Sequence, residues 1–150
     1  MRRIACVVLL FLSIGPAAWA ESPWKGTWVE RKPPEQGRQT MTVEEAGSGW
    51  KLTYQISGPK VPGGALTLTI VTQLDGNDAP VMAAGKPTGQ SMAIKRVDSH
   101  HTYTVLKLQG KETGISKSEL SSDGKVLKVE NAPVGATPDE TKHVHYWDKQ

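Results

Sequence analysis

Between Trp50 and Ile56 the chain alternates. Trp50, Leu52, Tyr54 and Ile56 occupy one set of positions, and Lys51, Thr53 and Gln55 the other. The same two-residue period sets Leu66, Leu68 and Ile70 against Thr67, Thr69 and Val71, and Leu106 and Leu108 against Val105 and Lys107. It returns at the end of the chain, where Val144 and Tyr146 alternate with His143, His145 and Trp147. Successive side chains of an extended chain point to opposite faces, so this period predicts strands. Thr, Val, Ile and Tyr also favour a pleated surface. No window shows the 3.6-residue apolar spacing of a helix.

Turn signals fall between the alternating runs. Asp75-Gly76 and Asp123-Gly124 are hairpin dipeptides, Ala46-Gly47-Ser48-Gly49 parts two runs, and Asp98-Ser99-His100 and Gly110-Lys111 mark two more reversals. The expected strands are 25–31, 40–46, 49–57, 65–74, 78–84, 91–97, 101–109, 112–121, 125–131 and 142–149. Many short strands in sequence imply a sandwich or a barrel. Closing the sheet removes its exposed edges, which favours the barrel. The expected fold is all-β: an up-and-down antiparallel β-barrel of about eight to ten strands, formed by residues 21–150 as one domain.

The first 20 residues differ in kind from this pattern. Arg2 and Arg3 precede an apolar run from Ile4 to Ile14, and Ala18-Trp19-Ala20 has the small-x-small form of a cleavage site. Together they read as a signal peptide cut after Ala20, giving a periplasmic or secreted product. The run is too short for a bilayer span, which takes about 20 apolar residues, and Gly15-Pro16 breaks it. No later stretch is long and apolar enough to predict a membrane helix.

Removing the leader changes the chemistry on offer. It takes away Cys6, the only cysteine, so the mature chain has no disulfide, thiolate metal ligand or thiol nucleophile. It also takes two of the 18 basic side chains and none of the 15 acidic ones, which leaves the mature chain close to neutral. Nucleic-acid binding calls for clustered Lys and Arg, and none is present.

Several segments resemble one superfamily. Trp24-Lys25-Gly26-Thr27-Trp28 is similar to the Gly-x-Trp opening of lipocalins and fatty-acid-binding proteins. His145-Tyr146-Trp147-Asp148-Lys149 resembles the closing strand of fatty-acid-binding proteins. The stretch from Gln73 to Val81, Lys95-Arg96-Val97-Asp98, and Leu120 to Leu127 are similar to blocks of small exported bacterial lipocalin-like proteins. The resemblance implies a calycin barrel with an internal pocket for an apolar small molecule. Two departures stand out. The interval 32–39 carries Pro33-Pro34 and Gly37, which does not suit the helical lid of fatty-acid-binding proteins. His145 and Trp147 occupy the positions similar to that family's headgroup-binding Arg and Tyr, which puts a fatty-acid headgroup site in doubt.

Candidate chemistry is sparse. His143 and His145 share a face of the last strand, a spacing that suits one Zn²⁺ or Cu²⁺ if His100, His101 or a carboxylate adds a third ligand. The plainer reading is a pair of solvent-facing or lumen-lining side chains without metal. Glu44 and Glu45 point to opposite faces and cannot act as a carboxylate pair. No nucleophile elbow, His-Glu-x-x-His or phosphate loop appears. The expectation is therefore an exported binding protein without enzymatic activity or cofactor, which holds a small hydrophobic or amphipathic ligand. Trp50, Tyr54, Tyr103, His145 and Trp147 are its expected ligand-binding residues. The alternatives are a cell-envelope interaction protein with a filled barrel, and a His-based metal-binding protein.

Overall fold

A computed structural model describes residues 21–32, 36–136 and 142–150. The expected leader lies outside these residues. Ten strands follow one another in the sequence: β1 (Gly26–Glu30), β2 (Arg38–Ala46), β3 (Gly49–Ser57), β4 (Ala65–Thr72), β5 (Asp75–Ala83), β6 (Lys86–Arg96), β7 (His101–Leu108), β8 (Lys111–Leu120), β9 (Val126–Pro133) and β10 (His143–Lys149). Each pairs antiparallel with its neighbours in sequence, and β10 returns to β1, so the sheet is a closed up-and-down barrel. The closing register is Trp28↔Lys149, Val29↔Asp148 and Glu30↔Trp147. No α-helix occurs among the described residues. Only residues 31–37 separate β1 from β2, too few for a two-helix lid, and 33–35 of these lie outside the described residues.

Closure gives the barrel two unlike ends. One carries the start of β1 and the short β2–β3, β4–β5, β6–β7 and β8–β9 turns. Here Trp28 is fully buried, and its indole Nε1 donates to Trp24 O at 2.9 Å. Trp24 in turn donates from Nε1 to Ser99 O at 2.7 Å, which ties the segment before β1 across the barrel end. The remaining core is the inward set of the strands, including Met41, Val43, Leu52, Ile70, Val81, Ile94 and Leu127. The opposite end carries the β1–β2, β3–β4, β5–β6, β7–β8 and β9–β10 connections.

Two turns differ from the expected ones. Asp75-Gly76 is not a hairpin tip but the first part of β5, which begins with a register shift between Asp75 and Asp78. The chain reverses one step earlier, at Gln73-Leu74. Leu74 has φ 61°, and its N–H is held by Thr72 Oγ1 at 3.1 Å. The Asp75 carboxylate accepts from Asn77 N at 3.0 Å, which stabilises the bulge. The missed hairpin is Ala84-Gly85, with φ 48° and 75°. Two positive φ values match the right-handed twist of the flanking strands. As a result β5 and β6 begin earlier than the pattern predicts.

Candidate functional site

The inward side chains do not fill the barrel. They enclose a lumen of about 380 Å³. The alternation in β3 aims Trp50, Leu52, Tyr54 and Ile56 into it, and β4 adds Leu68 and Ile70. Trp24 and Trp50 form its floor, with ring centroids 5.2 Å apart. The same two rings also line a shallower hollow of about 280 Å³ on the outside, so they form the partition between lumen and solvent. The Arg96 guanidinium covers that outer side, 5.2 Å from the Trp50 ring. Gln90, the exposed residue of the lining, lies toward the opposite end, which is therefore the mouth.

The lumen has two chemically distinct walls. β2 to β6 present mainly aliphatic and aromatic side chains, among them Met41, Val43, Leu68, Ile70, Met92 and Ile94. β7 and β8 present hydroxyls together with Leu106. Thr102 lies opposite Ser118 and Thr104 opposite Ser116 in the β7–β8 register, and all four side chains line the cavity. Thr102, Thr104 and Ser116 are buried, and Ser118 is half-buried. Lys107 reaches the lining because the register shifts between Leu106 and Lys107. Its ammonium is tied to Asp78 Oδ1 at 2.8 Å.

Two aromatic polar groups complete the interior. Tyr54 meets Trp147 edge to face, with centroids 6.3 Å apart. Burial pushes the Tyr54 phenol up to about 12, so it stays neutral across the physiological range. The Trp147 indole N–H is buried and has no hydrogen-bond partner among the described residues. Leaving such a donor unsatisfied costs about 1–3 kcal/mol.

Of the residues the sequence singled out, Trp50, Tyr54 and Trp147 line this lumen together. Tyr103 sits between Thr102 and Thr104 on β7, so its side chain points away from the lumen. His145 is on the inward parity of β10 but is not part of the lining. Its Nδ1 lies 2.6 Å from Glu30 Oε1. Glu30, whose side chain is 2% exposed, also holds Lys32 Nζ 2.7 Å from Oε2. The approach of Lys32 makes an ion pair without the alignment of a hydrogen bond. The sequence reading missed this cluster. The available signal was parity, since Glu30 follows Trp28 by two and must share its inward face.

His143 is exposed at the start of β10, and His101 pairs with Asp98 at 2.9 Å. Among the described residues no group of three or more His, Cys, Asp or Glu side chains is placed to hold a metal ion. Asp139 and Glu140, the remaining acids of the β9–β10 loop, lie outside the described residues. No helix of the described residues is long and apolar enough to cross a membrane. No family model, curated protein or solved structure matches the chain significantly. The closed ten-strand antiparallel barrel is consistent with a calycin-like fold, and that consistency rests on its topology alone.

Proposed function

We propose that the chain is an exported, non-enzymatic binding protein that holds one small hydrophobic or amphipathic molecule inside the barrel. A single observation carries this reading: a lumen of about 380 Å³ inside the barrel, with an apolar wall and an open mouth at one end. That volume falls in the range of ligand cavities, about 300–1,000 Å³. A barrel acting only through its surface loops has no need of an unfilled interior. Leaving one forfeits packing contacts that cost on the order of 24 cal/mol per Å³ of cavity. Tyr54 and Lys107 are the titratable side chains of the lining, and Lys107 is engaged by Asp78, so the reading assigns binding and no reaction. Export rests on the leader sequence ending at Ala20.

Native mass spectrometry of protein purified from its own host tests both parts. The expected spectrum shows a chain beginning at Glu21 with a co-purifying small molecule released on activation. A barrel that arrives empty, and that no hydrophobic dye then occupies, refutes the binding reading. A retained leader refutes export.

A further inference from the structure

The two walls of the lumen carry the ligand's chemistry further, an inference that rests on the binding reading above. Opposed positions on paired strands lie about 5 Å apart, and alternate positions along a strand about 7 Å. Thr102, Thr104, Ser116 and Ser118 therefore form a rectangle of four hydroxyls of about those dimensions, facing the mainly apolar wall of β2 to β6. Buried hydroxyls are rarely left unpaired, because their lost hydration must be replaced. These four hydroxyls face the lumen, where a ligand's oxygens can reach them, and the buried Trp147 N–H beside the same lumen has no hydrogen-bond partner among the described residues. The chamber thus offers several neutral donors and acceptors but no free charge. Lys107, the charged residue of the lining, sits toward the mouth and spends its ammonium on Asp78. A carboxylate moved into this space would shed its water shell without gaining a cation, which is costly.

We infer that the lumen selects an uncharged amphiphile bearing two or more ester or hydroxyl oxygens, held with its hydrocarbon against β2–β6 and its oxygens against the hydroxyls of β7 and β8. A monoacylglycerol is the simplest member of that class, and the fatty acid of the same chain length is the telling competitor.

The neutral dye N-phenyl-1-naphthylamine reports on the cavity, and monolauroylglycerol and dodecanoate compete for it at pH 8, each below its own aggregation concentration. Monolauroylglycerol is expected to displace the dye at a concentration at least about tenfold lower than dodecanoate. Replacing Thr104→Val together with Ser116→Ala removes two hydroxyls at nearly constant volume. It should weaken monolauroylglycerol about thirtyfold relative to the dye's own affinity for the same variant, at a net worth near 1 kcal/mol per hydrogen bond. Ser118→Ala alone, a milder change, should weaken it about fivefold. Dodecanoate competing as well as or better than the glyceride overturns the inference, and so does unchanged glyceride affinity in the substituted variants. In both cases the binding reading survives. A protein that takes up neither the dye nor either competitor overturns both.

Discussion

Tyr54 gives the most direct reading of whether the lumen is as dry as its lining implies. Its ring lies inside the barrel wall against Trp147, at 6.3 Å between centroids. Burial raises its phenol from 10.0 to about 12. The cause is desolvation: the phenolate would lose bulk water and gain no cation. A pKa raised in the folded state leaves stability untouched below the unfolded value and removes it as pH climbs through the folded one. The window is therefore pH 10 to about 12. Two units at about 1.36 kcal/mol each amount to roughly 3 kcal/mol of stability lost across that window. The assay pairs a tyrosinate absorbance titration with urea unfolding at pH 9 and pH 12, for the wild type and for Tyr54→Phe. The wild type should show one late tyrosine that the variant lacks. It should also lose roughly 3 kcal/mol more stability than the variant on going to pH 12. A Tyr54 that ionises near its ordinary value, with the two proteins losing stability in parallel, would mean a water-filled lumen. The argument from enclosure would then fail.

Three further outcomes follow from the ends, the seam and the turns. Trp24→Ala should remove the floor, cost about 3–5 kcal/mol in urea unfolding and raise acrylamide quenching of Trp50; unchanged quenching would show that Trp24 is not the partition. Arg31 clasps both oxygens of Asp148 across the closing seam, at 2.7 and 2.6 Å, and holds that carboxyl below its ordinary 3.8. The folded carboxyl being the stronger acid, Asp148→Asn should lower the melting temperature slightly at neutral pH. The gap to wild type should close as pH falls below 3.8; a gap that persists at pH 2 contradicts the clasp. Ala84 takes φ 48° at the first turn position between β5 and β6, where Asn is favoured, so Ala84→Asn should add about 1 kcal/mol, and a loss of stability would mean a different turn.

The strands were legible because period two survives wherever one face is buried and the other wet. β3 is the plainest instance: Trp50, Leu52, Tyr54 and Ile56 all line the lumen in the order the sequence alternates them. The turns were legible only where their chemistry was conventional. Gly124 sits in the β8–β9 reversal as Asp123-Gly124 suggests, with Gly124 N bonded to Ser121 O at 2.9 Å. Ala84-Gly85 carries no Asn or Asp to betray its positive φ. Asp75-Gly76 carries the right residues but uses them in a bulge, because Thr72 and Leu74 have already turned the chain.

The site was harder to read, for a reason that also bears on its chemistry. Period two separates the residues of a strand into two sets but does not say which set faces in. The usual guide is that apolar side chains go inward, and on β7 the barrel breaks it. Thr102 and Thr104 face the lumen while Tyr103 and Val105 face out. The β7–β8 register then forces Ser116 and Ser118 inward and Ile115 and Lys117 outward. A barrel selected only for a dense interior would gain by turning Tyr103, Val105 and Ile115 toward it. The inversion is cooperative across two strands and leaves four hydroxyls facing an apolar chamber, so it costs packing at every position it touches. On the binding reading proposed above, a ligand in the chamber offsets that cost. The residues that made the site unreadable from pattern alone are thus the ones on which the proposed ligand chemistry rests.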